Sequence, residues 1–215
     1  MKFPNTRACG IGIGLFLAVY IPAFAITAIV RPHVEMAVPL IIGITSLIAL
    51  ILVFLFARKP AGAAEFGFTI PKGLYLDTAT VAGLILGIAV AFTSHRFPSK
   101  PPLDLSHLKP WMIALYFVVG APIQEEIIFR GLIQSMLERR WTKPFTVFGV
   151  SLSGAVVFTA VLFGIIHLEV GALVAVCAVI LGLVAGELRR RSGSLLPAII
   201  VHALFNAADA YWPKM

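Results

Sequence analysis

Seven long apolar stretches constrain the fold of this chain more than any other feature. They cover residues 10–30, 37–57, 77–93, 111–136, 145–167, 171–188 and 194–211. Apolar stretches of about 17 to 25 residues can cross a bilayer as helices, because a helix satisfies its own backbone hydrogen bonds. The sequence therefore predicts an all-α, polytopic transmembrane helical bundle of about seven spans, within a range of six to eight. Stretches 77–93 and 194–211 are the weakest candidates.

Composition and charge support a membrane protein and argue against a nucleic-acid partner. Hydrophobic residues make up 60% of the 215 positions and charged residues only 13%, which does not describe a water-soluble core. The net charge is +7, but the basic residues are not interleaved with aromatics on one face. We therefore expect a lipid bilayer around the protein and no bound nucleic acid.

The basic residues lie in the loops between the spans and predict the topology. With seven spans and the N-terminus inside, the inner segments contain eleven Lys and Arg residues and the outer segments five. The positive-inside rule therefore favours a cytoplasmic N-terminus, provided that stretch 77–93 crosses the membrane. Turn-forming Pro and Gly residues follow the second and third spans, and Asp77 with Thr78 predicts the N-cap of the third helix.

Two adjacent carboxylates lie inside the fourth apolar stretch. Glu125 and Glu126 precede Arg130, and an ionised group at bilayer depth costs at least about 2.5 to 3.5 kcal/mol. Glu126 and Arg130 are four residues apart, so they share a helix face and are predicted to form an ion pair. Glu125 points away from Arg130. We therefore predict a supporting role for Glu126 and Arg130 and a role as general base for Glu125.

Two histidines and an asparagine in later spans could complete a hydrolytic site. His167 closes the fifth stretch, and His202 and Asn206 share one face of the seventh. Asp209 lies near the end of that helix and is left outside the site. A carboxylate and an imidazole can take a proton from water, and an imidazole with a side-chain amide can stabilise an oxyanion.

Metal binding is the alternative use of the same residues. Two histidines and one carboxylate match a catalytic zinc site, and the ligands here would be Glu125, His167 and His202. The short signature H-E-x-x-H is absent, so three separate helices would have to supply the ligands. The sequence leaves both possibilities: no cofactor required, or zinc.

Three motifs together resemble those of the CPBP intramembrane proteases, a family that includes CAAX prenyl endopeptidases and bacteriocin-processing or self-immunity (Abi) proteins. The motifs EExxxR, FxxxH and HxxxN appear in order as Glu125 to Arg130, Phe163 to His167 and His202 to Asn206. The resemblance covers roughly residues 111–211 and implies a catalytic transmembrane region over residues 111–215. It leaves residues 1–110 as N-terminal transmembrane helices of unassigned role.

The resemblance implies an intramembrane endopeptidase, glutamate-dependent or metal-dependent, that cleaves a membrane-associated protein or peptide. Glu125, assisted by His167, would activate water, and His202 with Asn206 would hold the oxyanion. A short chain of this kind resembles the prokaryotic members of the family, which implies a multi-pass protein of a prokaryotic cytoplasmic membrane. The predicted spans place His167 near a helix end but Glu125 and His202 near mid-depth, so either the fifth helix begins after residue 145 or the site opens toward the outer face.

Two functions from other classes use the same polar groups. A non-proteolytic binding or bacteriocin-immunity protein would hold a peptide in the polar cavity without cleaving it. A small transporter would use the acids and histidines as a proton relay, but the sequence lacks the internal repeat common in transporters.

Overall fold

The computed structural model describes residues 6–30, 34–58, 61–96, 108–141, 145–147 and 150–211. Within these ranges the chain forms seven helices, as the apolar stretches predict: α1 (Thr6–Val30), α2 (Val34–Phe56), α3 (Gly73–Arg96), α4 (Pro110–Glu138), α5 (Gly154–Ile166), α6 (Ala172–Ser192) and α7 (Leu196–Tyr211). The predicted all-α helical bundle is confirmed.

Five of these helices are long and apolar enough to cross a membrane, namely α1, α2, α3, α4 and α6. α5 and α7 are shorter apolar helices. Large apolar side chains cover the outside of the bundle; Ile29 is 80% exposed and Phe54 is 70% exposed. Exposed apolar surface of this extent is expected where lipid replaces water. The protein is therefore an integral membrane protein.

The fifth span begins later than the sequence predicts. Residues Phe145–Val147 (β1) and Val150–Leu152 (β2) form a short antiparallel pair, in which Phe145 lies opposite Leu152. Their β-branched residues favour extended backbone. α5 then begins at Gly154, so it is about 20 Å long at 1.5 Å per residue. The fifth helix thus begins after residue 145, which is the first of the two explanations given above for the position of His167.

The third helix begins earlier than predicted, at Gly73. Asp77 and Thr78 consequently lie inside α3, and the Thr78 hydroxyl donates to the carbonyl of Leu74 at 2.8 Å. The predicted N-cap is therefore wrong. A hydroxyl that bonds to its own helix four residues back is an alternative to capping that sequence reasoning cannot distinguish from it.

α4 lies at the centre of the bundle and carries both glutamates. It packs against α1, α2, α5, α6 and α7. Two stretches of α4 have the wider π-helical hydrogen-bond pattern, Ala114–Gly120 and Ile127–Gln134, and they flank the α-helical turn Ala121–Glu126. π-helical segments occur frequently at functional sites because they change which side chains and carbonyls face a neighbour.

Glycines allow the helices around α4 to approach closely. A Cβ at Gly83 of α3 would lie 3.0 Å from the carbonyl oxygen of Val201 in α7. A Cβ at Gly182 of α6 would lie 2.9 Å from the Cα of Ala160 in α5. Small residues at such contacts are the usual basis of helix packing in membranes. They bring α3 against α7, which carries His202, and α6 against α5, which ends at His167.

Candidate active site

The predicted ion pair between Glu126 and Arg130 is present in the centre of the bundle. Arg130 Nη1 donates to Glu126 Oε1 at 3.0 Å, and both side chains are fully buried. Their i, i+4 spacing places them on one face of α4. Two charges this deep are tolerated only as a hydrogen-bonded pair, because removing one partner would leave the other charge buried alone.

His202 from α7 also binds Glu126, which the sequence did not predict. His202 Nδ1 lies 2.8 Å from Glu126 Oε1, the same oxygen that accepts from Arg130. An ionised carboxylate only accepts hydrogen bonds, so Nδ1 carries the hydrogen. This bond fixes the ring orientation and directs the second nitrogen, Nε2, away from Glu126.

The second nitrogen of His202 faces Glu125. Nε2 lies 3.6 Å from Glu125 Oε2, which is too long for a direct hydrogen bond but short enough for one water to contact both atoms. The side chain of Glu125 is 17% exposed, whereas that of Glu126 is fully buried. The two adjacent acids therefore differ in environment: Glu126 is enclosed and paired, and Glu125 is partly accessible.

His167 lies next to this network at the end of α5. It is the C-cap residue, and its Nδ1 forms a 2.7 Å hydrogen bond with the carbonyl of Phe163. A carbonyl needs a donor, so this contact places the hydrogen on Nδ1 and leaves Nε2 for another partner. Among the hydrogen bonds and ion pairs of the described residues, none joins His167 directly to Glu125.

Phe163 connects the two histidines through its ring. Its centroid lies 4.6 Å from the ring of His167 and 5.6 Å from the ring of His202, both in edge-to-face geometry. The guanidinium of Arg130 lies 4.8 Å from the same centroid. Phe163 is 1% exposed. It therefore fixes the spacing of three site residues from different helices, a role that its place in the FxxxH motif did not reveal.

Asn206 bonds to a carbonyl that the sequence of α4 leaves without a partner. Ala121 N–H donates to Tyr116 O in the π pattern, so the next donor in that pattern, for Phe117 O, would be residue 122. That residue is Pro122, which has no N–H. Asn206 Nδ2 donates to Phe117 O at 2.8 Å instead. The predicted face shared by His202 and Asn206 is thus directed at α4.

The predicted zinc ligands are not gathered at one point. Within the described ranges of the chain, no group of three or more His, Cys, Asp or Glu side chains is arranged to hold a metal ion. Glu125 and His202 are close together, but His167 contacts the network through Phe163. The donor set does not fit a three-ligand zinc site in this arrangement, and we derive no chemical step through a metal.

Asp209, which we left outside the predicted site, is exposed near the end of α7.

One buried polar residue near the site was missed by the sequence prediction. Gln134, four residues after Arg130, is fully buried, and its Nε2 donates to the carbonyl of Gly186 in α6 at 3.0 Å. The spacing of Glu126, Arg130 and Gln134 along one helix face is the sequence signal that could have identified this buried polar stripe.

Comparison with known proteins agrees with the three motifs. The family model described as Rce1-like, type II CAAX prenyl endopeptidase Rce1-like, matches residues 107–208. Comparisons with curated proteins and with solved structures found no match. The matched range contains both glutamates, Arg130, both histidines and Asn206. Residues 107–208, slightly less than half of the chain, are therefore similar to the Rce1-like type II CAAX prenyl endopeptidases.

Proposed function

We propose that the protein is an intramembrane endopeptidase that hydrolyses a peptide bond of a membrane-associated protein or peptide. The observation that carries this proposal is the position of His202 between two unlike carboxylates. Its Nδ1 contacts the buried Glu126 at 2.8 Å, and its Nε2 faces the partly accessible Glu125 at 3.6 Å. Such an arrangement resembles an oriented imidazole next to a general base.

Glu125 is the residue that activates water. A water bound to Glu125 Oε2 gives its proton to the carboxylate as its oxygen forms a bond to the carbonyl carbon of the substrate, and the carbonyl oxygen takes the negative charge. The carbon–nitrogen bond then breaks, and the proton on Glu125 passes to the leaving amine. His167, whose Nε2 is not used by its bond to Phe163, assists Glu125.

His202 and Asn206 stabilise the oxyanion. In its protonated form, the His202 ring donates from Nδ1 to Glu126 and from Nε2 to the developing negative charge. Asn206 Nδ2 has two hydrogens, and only one is used by Phe117 O. Glu126 and Arg130 act through His202 by fixing its ring. Each oxyanion donor of this kind typically contributes about 100- to 1,000-fold in kcat.

The matched family name suggests the first substrate to test. An internally quenched, prenylated peptide ending in a CAAX sequence is the probe, and the same peptide without the prenyl group tests whether the lipid is required. Purified Glu125→Ala, His167→Ala and His202→Ala are expected to lose cleavage while remaining folded. Retained cleavage by Glu125→Ala would contradict the assignment of the base.

The topology and membrane proposed for this enzyme follow from its charge distribution and its motifs. We place the N-terminus in the cytoplasm because eleven basic residues fall in the inner segments and five in the outer ones. The resemblance of the three motifs to a family with many prokaryotic members suggests a prokaryotic cytoplasmic membrane. Reporter fusions at successive loops test this orientation.

A further inference from the structure

One segment from the N-terminal half is built into the catalytic half. Residues 61–70, which we call the strap, connect α2 to α3 and contain the 3₁₀ turn Ala63–Phe66. Phe66 is fully buried and belongs to the same apolar core as Phe129 and Phe163. The strap is therefore part of the packed interior, although it lies outside the range that matches the protease family.

Two arginines from the catalytic half hold the strap. Arg139, at the end of α4, pairs with the Glu65 carboxylate, and its guanidinium lies 5.0 Å from the centroid of the Phe66 ring. Arg189 of α6 donates from Nη2 to the Glu65 carbonyl at 2.9 Å and to the Ser135 hydroxyl at 3.1 Å. Arg189 is only 5% exposed, so these bonds form where water does not compete.

Gly67 allows the strap to lie directly on Arg189. Its φ of +90° is one that other residues rarely adopt, and a Cβ here would lie 2.4 Å from Arg189 Nε. Gly62, at the start of the strap, has a φ of +57°, but a Cβ there would meet nothing within 4 Å. The two glycines share a positive φ and differ in the contact, so they form a matched pair for an experiment.

The other side of the strap binds the residues that begin α7. Leu195 N–H donates to the Gly67 carbonyl at 2.8 Å, and the Ser194 hydroxyl donates to the Thr69 carbonyl at 2.5 Å. The Thr69 hydroxyl donates to the Gly193 carbonyl at 2.8 Å. Three consecutive residues, immediately before the first turn of α7, are thus tied to the strap.

The start of α7 determines where its functional side chains lie. His202 follows Leu195 by seven residues, or about 10 Å along the helix.

A groove of about 500 Å³ lies between α4 and α7 next to the strap, and its walls include Ile123 and Ile127 of α4 and Ile199 of α7. These residues are within one turn of Glu126 and His202, so a shift of the strap changes the spacing of the two helices at the site.

We propose that the strap is a positioning element: it fixes the start of α7 relative to α4 and thereby places His202 between Glu125 and Glu126. The catalytic part of this inference rests on the proposed function, whereas the placement of His202 does not. Gly67 and Thr69 are its positioning residues. This gives a role to a segment of the N-terminal half, which the sequence left unassigned.

The test combines kinetics with a signal from His202. Gly67→Ala is expected to lower kcat on the quenched prenylated CAAX peptide by about 10- to 100-fold with little change in KM, because displacements of about 1 Å can cost that much. Gly62→Ala is expected to stay within about twofold of wild type. In ¹⁵N-histidine NMR spectra, the Nδ1 proton of His202 is expected to shift in Gly67→Ala and not in Gly62→Ala.

Thr69 provides a second, gentler pair in case Gly67→Ala does not fold. Thr69→Val removes the hydroxyl at nearly constant shape, and Thr69→Ser retains it; we expect the valine variant alone to shift the His202 resonance and lower kcat. An unchanged resonance and kcat in the folded valine variant would overturn the proposal, as would equal effects of both variants. The NMR result does not depend on cleavage, so failure of the proposed function would be recognised separately.

Discussion

His202 Nδ1 and Glu126 Oε1 are 2.8 Å apart, although the two residues are 76 positions apart in the chain. This hydrogen bond joins α7 to the centre of α4 and makes Glu126 the common acceptor for His202 and Arg130. It also leaves His202 Nε2 facing Glu125. The different duties proposed for the two adjacent glutamates follow from this contact.

Neutralising Glu126 is expected to destabilise the fold. Glu126→Gln leaves the fully buried Arg130 without its charge partner, and breaking a buried pair in this way typically costs about 3 to 5 kcal/mol. Glu125→Gln removes the charge of the neighbouring, partly accessible side chain and is expected to change stability little. Thermal unfolding of both variants in detergent checks this. Equal melting temperatures for the two variants would contradict the difference in environment.

The close approach of α5 and α6 predicts a glycine effect. Gly182→Ala would place its Cβ 2.9 Å from the Cα of Ala160, and overpacking of this kind typically costs about 1 to 3 kcal/mol. A Cβ at Gly14 in α1 meets nothing within 4 Å, so Gly14→Ala is expected to be neutral or slightly stabilising. Melting temperatures measured side by side decide this. A Gly182→Ala protein as stable as wild type would show that the helices are not in tight contact.

The pairing of Asn206 with Phe117 O predicts a coupling with Pro122. Asn206→Ala removes the donor to that partly buried carbonyl, and an unsatisfied carbonyl costs at most about 1 to 3 kcal/mol, the range for a fully buried group. Pro122→Ala restores an N–H in the π register of α4 and can supply the missing bond. The loss caused by Asn206→Ala is therefore expected to be smaller in the Pro122→Ala background. Additive losses in a double-mutant cycle would be the contrary result.

Removal of metal ions is expected to leave the activity unchanged. The proposed reaction uses Glu125, His167, His202 and Asn206 without a metal, while the sequence also permits zinc held by the first three. Elemental analysis of active protein, combined with cleavage assays before and after treatment with a chelator, distinguishes these possibilities. Activity that disappears with the chelator and returns with zinc would favour the metal-dependent reaction.

Local patterns were predictable from the sequence, whereas contacts between distant helices were not. The helix count follows from the lengths of the apolar stretches, and the pair Glu126–Arg130 follows from their spacing within one helix. The bond from His202 to Glu126 depends on how α7 is rotated and shifted against α4, which glycines such as Gly83 and the strap determine. The periodicity of one helix shows which residues share a face, but not how that helix is rotated or shifted against another.

The π-helical stretches of α4 and the strand pair β1–β2 could not be predicted from the sequence either. The π-helical stretches of α4 change the direction of carbonyls without a strong composition signal, so the link between Pro122, Phe117 and Asn206 is visible only in the structure. Residues 145–152 are mostly apolar, as is the helix after them. A prediction based on hydrophobicity therefore included β1 and β2 in the fifth span.

The most direct test of the central claim is the kcat of Glu125→Gln on the quenched prenylated CAAX peptide. This substitution keeps the shape of Glu125 and removes the base. The matched control is Glu169→Gln, which removes the charge of an exposed glutamate two residues after His167. We expect Glu125→Gln to remain folded and lose at least about 100-fold in kcat, within the range of general-base catalysis, while Glu169→Gln keeps wild-type activity. A folded Glu125→Gln enzyme with wild-type kcat would contradict the account.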